Sequence, residues 1–118
     1  MILTNVIKAK IHKATITRKE LAYNGSIGID KALLTASGMI PGEKVQVLNF
    51  QNGARLETYI IEEKENSGII ALYGPAARRG EIEDELCIIS YALITSDEIP
   101  NFKSKVVFVD KNNKIVTN

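Results

Sequence analysis

Apolar and polar positions alternate in stretches from Val6 to Thr17, with β-branched residues prominent, and this predicts a long strand. On a pleated strand Lys8, Lys10, His12 and Ala14 share one face, while Ile7, Ala9 and Ile11 share the other. Ile27-Gly28-Ile29 reads as a short strand. Asp30 is placed to cap a helix over Lys31–Ser37, with Gly38 as its stop. Pro41-Gly42 marks a turn, Val45–Phe50 a strand, and Asn52-Gly53 a hairpin whose return strand runs Ala54–Glu62. There Leu56, Thr58 and Ile60 share one face, and Arg55, Glu57, Tyr59 and Ile61 the other. Asn66-Ser67-Gly68 turns into a strand over Ile69–Tyr73, followed by the small-residue loop Gly74–Ala77. Leu86–Ile94 is almost continuously apolar and should be the most buried strand. Ser96–Pro100 reads as loop, Lys105–Val109 as a strand, and Asp110–Lys114 as a turn into a short strand near Ile115-Val116. Many short strands with Gly, Pro and Asn punctuation, and no internal repeat or linker, predict a mainly β chain closed as a small barrel.

Composition narrows the class. The 118 residues predict one domain, and 45% hydrophobic with 25% charged content is ordinary for a soluble globular protein. A net charge of +1 provides no global field to recruit nucleic acid or an acidic membrane. The single cysteine, Cys87, excludes an internal disulfide framework and suits a reducing compartment. One Cys and one His cannot build a standard structural zinc site, so no metal is expected. The first seven residues lack a charged region followed by a long apolar run, so neither signal peptide nor membrane span is expected, and the expected location is cytoplasmic. Charge is unevenly spread: residues 1–25 carry five Lys/Arg against one Glu, and residues 26–118 carry ten against thirteen Asp/Glu.

Candidate chemistry gathers in Lys10-Ile11-His12-Lys13-Ala14-Thr15-Ile16-Thr17 and Tyr23-Asn24-Gly25-Ser26. Lys10 and His12 are next-but-one neighbours, about 6.6 Å apart along a strand. A solvated cationic face accounts for the lysines, though not for the only histidine among them. Gly25 can hold a strained peptide, and the Ser26 hydroxyl could attack the carbonyl just before it. Taken alone, Asn-Gly-Ser is an ordinary tight turn. Together the two runs resemble the precursor of the pyruvoyl-dependent aspartate 1-decarboxylase family. Asn52-Gly53-Ala54-Arg55-Leu56-Glu57-Thr58-Tyr59 matches that family's Asn-Gly-x-Arg-x-x-Thr-Tyr motif, and Gly74-Pro75-Ala76-Ala77 its small-residue loop. Backbone N–H groups of such a loop can hold a carboxylate, with one donor removed by Pro75. The three segments occur in family order over nearly the whole chain.

The resemblance implies a six-stranded double-psi β-barrel with short helices. It implies self-cleavage between Gly25 and Ser26 into chains 1–25 and 26–118, with Ser26 becoming a covalent pyruvoyl group that forms a Schiff base with L-aspartate. Thr58 would stabilise the oxygen charge during cleavage, and Tyr59 would donate the proton that completes decarboxylation to β-alanine, a precursor of pantothenate and coenzyme A. Lys10 and Arg55 would hold the substrate carboxylates, with Thr58, Gly74, Pro75 and Ala76 also lining the site and His12, Tyr23 and Tyr73 in support. It further implies a homotetramer with sites between subunits, where Lys10 could act across an interface, and a possible maturation factor. Two residues depart from the pattern: Tyr73 stands where the family usually has Asn, and Pro75 replaces the first Ala of the loop. Two alternatives remain. One is a non-catalytic barrel binding an anion or nucleic acid through Lys8, Lys10, Lys13, Arg18 and Lys19. The other is the same machinery acting on another acidic amino acid.

Overall fold

Strand β1 (Leu3–Thr15) opens the chain, followed by β2 (Arg18–Glu20) and β3 (Ser26–Asp30). Helix α1 (Lys31–Ser37) precedes the hairpin of β4 (Lys44–Asn49) and β5 (Arg55–Glu63). Then come β6 (Ile70–Tyr73), β7 (Glu85–Thr95), β8 (Lys105–Val109) and β9 (Ile115–Val116). Two 3₁₀ turns, Gly74–Arg79 and Ile99–Asn101, fill the connections on either side of β7. This is the computed structural model of the chain, and it describes residues 1–117.

The architecture is mainly β with short helices, as expected, but the closed six-stranded barrel is not what the pairing shows. Nine strands form one order, β2-β6-β3-β5-β4-β7-β1-β8-β9, and no ladder among the described residues joins its two ends. Both end strands are short, three residues in β2 and two in β9, and each is paired on one side only. Parallel pairs (β1 with β8, β2 with β6, β3 with β5) are interleaved with antiparallel ones.

Most local expectations hold. The Asp30 carboxylate accepts the Ala32 N–H at 2.8 Å at the start of α1, and Gly38 ends the helix in the left-handed region (φ +80°). Gly53 provides the positive φ of the β4–β5 turn. The Leu86–Ile94 run lies in the central strand β7, fully covered through Ser90, but Leu93 is 64% exposed where β7 has run past the end of β4 and is paired with β1 alone. Ile11, Ile27, Ile29, Ile60, Ile70, Leu72, Leu86 and Ile88 form the core, with Leu33 and Leu34 of α1 packed against it.

Two expectations about β1 need correction. Its register against β7 shifts between Ile7 and Ala9 and again between His12 and Ala14, with Lys13 at φ +64°. Each bulge inserts one residue and so inverts the alternation beyond it. Ala14 therefore joins Ala9 and Ile11 in the core instead of sharing the face of Lys10 and His12, and Ile7 turns outward. Strand β2 was not anticipated at all, since its polar Arg18-Lys19-Glu20 sequence carries no strand signal and forms only because β6 lies beside it.

Asp30 does more than cap. It is 1% exposed, and its carboxylate also accepts the N–H groups of Asn66 (2.8 Å) and Gly68 (2.8 Å), tying the β5–β6 turn to the start of α1. Asp30→Ala should destabilise the protein by about 2–4 kcal/mol in urea unfolding, a lost cap plus buried amides left without acceptors.

Candidate active site

Ser26 begins β3, opposite Tyr73 of β6. Its side chain is fully buried, and its hydroxyl has no hydrogen-bond partner. A buried hydroxyl normally finds one; the Ser90 hydroxyl of β7 also lacks a partner, so what distinguishes Ser26 is its place directly after Gly25. Gly25 precedes it at the rim of a cleft of about 290 Å³ lined by Leu56, Glu57, Thr58, Pro75, Ala76 and Arg79. Parallel pairing of Ile27 with Ile60 explains the meeting of Gly25 and Thr58, which lie two residues back on their respective strands.

Gly25 is required for space, not for its own φ. A Cβ there would lie 2.7 Å from the Pro75 ring and 3.1 Å from the Tyr73 carbonyl oxygen. The left-handed backbone sits across from it at Gly74 (φ +63°), where a Cβ would come within 2.5 Å of the Gly25 Cα. Gly74–Ala77 is not an open loop: it starts a 3₁₀ turn with Pro75 in the second position, still within the first turn, where a missing N–H leaves no bond unmade.

Lys10, His12 and Arg55 meet in a second cleft of about 560 Å³ with Phe50, Cys87 and Ile89. Cross-strand register builds it. Arg55 pairs with Leu48, Leu48 with Cys87, Cys87 with His12 and His12 with Phe108, one row across five strands. Lys10 and Ile89 belong to the next row but one, hence to the same face. The Arg55 guanidinium donates to Gln46 Oε1 (3.2 Å), which also accepts the Tyr91 hydroxyl (2.7 Å).

The His12 ring stands edge-on to Phe50 (centroids 5.7 Å apart) and Phe108 (5.6 Å). Burial, then the positive charges of Lys10 and Lys13, lower its pKa below 6.5 against an opposing pull from Glu85. The imidazole is therefore neutral at pH 7. An NMR titration should give a midpoint below 6.5 that rises in Lys10→Gln, because removing a cation favours the charged ring. Burial raises the pKa of the Cys87 thiol, with Lys10 opposing, so the thiol stays protonated.

Tyr59 joins neither cleft. It is 44% exposed and borders a shallow depression with Lys44, Glu57 and Thr58, the last of which also lines the cleft of Gly25. Tyr23 is exposed, with its ring over that of Tyr73 at 4.6 Å. The Tyr73 hydroxyl donates to Glu63 Oε2 (2.6 Å), so it does not stand in as a free donor for the family's Asn. Lys8 is paired with Glu43 and Lys19 with Glu81. Together with the bulges, these pairs break up the continuous cationic face that the strand pattern suggested.

One chain thus brings Gly25, Ser26, Thr58, Pro75 and Ala76 together, and separately Lys10, His12 and Arg55. Sequence reasoning missed Arg79 and Glu57 at the first cleft and Phe50 and Cys87 at the second. The Arg78-Arg79 pair directly after the small-residue turn was the available signal for Arg79. Nothing local marked Cys87, which enters through its pairing with His12. Among the described residues no group of three or more His, Cys, Asp or Glu could hold a metal ion, and no helix is long and apolar enough to cross a membrane.

Comparison with known proteins places this geometry in context. A family model described as aspartate decarboxylase matches residues 1–116. The chain is 56% identical over 116 residues to an aspartate 1-decarboxylase of Carboxydothermus hydrogenoformans, covering 98% of this chain and 91% of that one. It is 51% identical over 113 residues to one of Clostridium botulinum (96% and 91% covered). A third relative of the same name, from Thermoanaerobacter pseudethanolicus, is 50% identical over 111 residues (94% and 95% covered).

Proposed function

Since the chain belongs to the aspartate decarboxylase family, we propose that it cuts its own backbone between Gly25 and Ser26 and then converts L-aspartate to β-alanine and CO2. The product suits supply of the β-alanine unit of pantothenate and coenzyme A. The observation that carries the reading is the Ser26 hydroxyl, buried and unpartnered directly after a glycine that no larger residue could replace.

An unpartnered hydroxyl is free to turn toward the carbonyl just before it, with no existing hydrogen bond to break. Its oxygen attacks the Gly25 carbonyl carbon, the hydroxyl proton passes to the Ser26 nitrogen as the C–N bond breaks, and the amide becomes an ester with a free Ser26 amine. Thr58, at the same cleft, donates to the carbonyl oxygen as negative charge develops there, an interaction worth about 10²–10³ in rate. Loss of the Ser26 α-proton then expels residues 1–25 as a carboxylate. Water replaces the nitrogen of the resulting dehydroalanine, releasing ammonia and leaving a pyruvoyl cap on residues 26–118. A pyruvoyl group suits this position, because its precursor hydroxyl is already desolvated and the neighbouring cleft is open. It supplies the electron sink that breaking a carbon–carbon bond of an α-amino acid requires.

The other residues bind and protonate. Arg55 offers a planar fork and Lys10 a point charge, which together suit the two carboxylates of aspartate. Tyr59, which shares with Thr58 a depression next to the cleft of Gly25, supplies the proton to the carbon that loses CO2. Gly74, Pro75 and Ala76 shape the wall beside Gly25, while His12 and Tyr23 support the cations and the cut segment.

A homotetramer with shared sites belongs to the same proposal. It is supported by the division of the machinery within one chain, with the Lys10–His12–Arg55 cleft apart from that of Gly25 and Thr58. The double-psi arrangement is likewise proposed, and the interleaved parallel and antiparallel pairs support it.

Intact-mass analysis coupled to a β-alanine assay tests the reading. Two fragments divided between Gly25 and Ser26, the larger reactive toward carbonyl reagents, are the expected result. Cutting only after addition of host lysate would assign a maturation factor. An uncut, inactive chain after warming with lysate would refute the proposal.

A further inference from the structure

The mechanism leaves one polar cluster without a task. Tyr73 is 5% exposed, and its hydroxyl donates to Glu63 Oε2 at 2.6 Å. The Arg18 guanidinium lies near enough to the same hydroxyl for each to act on the other's charge, and the exposed Tyr23 ring lies over the Tyr73 ring at 4.6 Å. Gly28 makes room for the cluster, since a Cβ there would lie 2.1 Å from the Glu63 carboxylate.

These four residues divide across the cut. Arg18 and Tyr23 belong to residues 1–25, and Glu63 and Tyr73 to residues 26–118. Tyr73 is also the strand partner of Ser26, so paired main chains carry both side chains on one face. Residues 21–25 lie outside every strand. Their end is held by the Tyr23–Tyr73 stack, by the close approach of Gly25 to Gly74, Pro75 and the Tyr73 carbonyl, and locally by the Tyr23 N–H donating to the Glu20 carbonyl at 3.4 Å.

We propose that Tyr73, braced by Glu63 and Arg18, is a clamp that aligns the Gly25–Ser26 bond for cleavage by gripping the chain on both sides of it. The inference rests on the self-cleavage reading above and adds a positioning residue to it. Attack within a folded chain is fast only when the reacting atoms are held about 3–3.5 Å apart, so a loose segment end lowers the rate without removing any reacting group. The braced hydroxyl fixes the plane of the Tyr73 ring, the ring fixes Tyr23, and Tyr23 fixes the two residues leading to the scissile carbonyl. Burial and then the Glu63 carboxylate raise the Tyr73 pKa above 10, so the hydroxyl remains a donor throughout the neutral range. The clamp also gives Tyr73 a role of its own at the position where the family usually has Asn.

The test follows precursor cleavage over time by intact mass, well below each variant's unfolding midpoint. Tyr73→Phe keeps the ring and removes the hydroxyl, and Glu63→Leu removes the brace. Each should slow cleavage about 10- to 100-fold, the scale of one hydrogen bond to a charged group. Glu63→Gln keeps an acceptor for the hydroxyl and should restore cleavage to within about threefold of the natural chain, a rescue that a purely electrostatic role for Glu63 would not give. Tyr23→Leu should slow cleavage like Tyr73→Phe, and combining the two should add little, since they act through one contact. Cleavage of Tyr73→Phe at the natural rate would overturn the clamp while leaving the self-cleavage reading intact. A natural chain that never cuts would overturn both.

Discussion

Ser26→Ala should give a chain that stays at full mass indefinitely and forms β-alanine from aspartate at background rate. The expected loss is about 10⁴-fold or more, because in the proposed mechanism one residue supplies both the nucleophile of cleavage and the carbon skeleton of the electrophile. Few substitutions separate folding from function so cleanly. The Ser26 hydroxyl makes no hydrogen bond, so its removal strands no partner and leaves the core around Ile27 and Leu72 in place. Urea unfolding of the variant should therefore differ from that of the uncut natural chain by less than about 1 kcal/mol. A folded Ser26→Ala protein that turned aspartate over would refute the proposed mechanism outright.

The second large effect is expected at Gly74. An alanine there would sit at φ +63° with its Cβ 2.5 Å from the Gly25 Cα, 2.7 Å from the Gly25 nitrogen and 2.7 Å from the Tyr23 carbonyl oxygen. All three neighbours are backbone, so the clash cannot be relieved by a rotamer change. The left-handed backbone adds about 1–2 kcal/mol and overpacking about 1–3 kcal/mol, giving a stability loss of about 2–5 kcal/mol. The main chain that must give way is that of Tyr23 to Gly25, the segment leading to the proposed cut. Cleavage in Gly74→Ala should accordingly fall at least about a hundredfold, because near-attack geometry tolerates little displacement. The control is Gly53→Ala, also at positive φ (+73°) but with open space around its Cβ, which should lose stability and still cut. Equal cleavage in Gly74→Ala and the natural chain would show that Gly74 does not hold Gly25 in place.

These two variants probe different levels of the molecule. Ser26 was identified by its place in a motif, and its chemistry follows from a hydroxyl beside a peptide carbonyl. The role of Gly74 was not legible in that way. Sequence reasoning assigned the unusual backbone to Gly25, whereas the positive φ lies at Gly74 and Gly25 is constrained by contact. Two glycines facing each other across a cleft cannot be told apart by composition, because each looks permissive until its neighbour is known. The same limit applies to Tyr73. Its departure from the family pattern was visible, but its bond to Glu63 is not, since the two side chains meet only where β3, β5 and β6 lie together.

Periodicity, caps and turn residues determined the local elements, including α1 between Asp30 and Gly38, the Asn52-Gly53 hairpin and the apolar course of β7. They could do so because side-chain spacing and backbone preference act within a few residues. Motif order determined the family and the chemistry. Only the tertiary structure decided which strands are neighbours, where the bulges at Lys8 and Lys13 invert β1, and how Arg55, Cys87 and His12 align in one row. It also decided that the row stands apart from the cleft of Gly25 and Thr58. Those outcomes depend on hydrogen bonds and packing between segments far apart in the chain, where a single extra residue in one strand moves every later side chain to the opposite face.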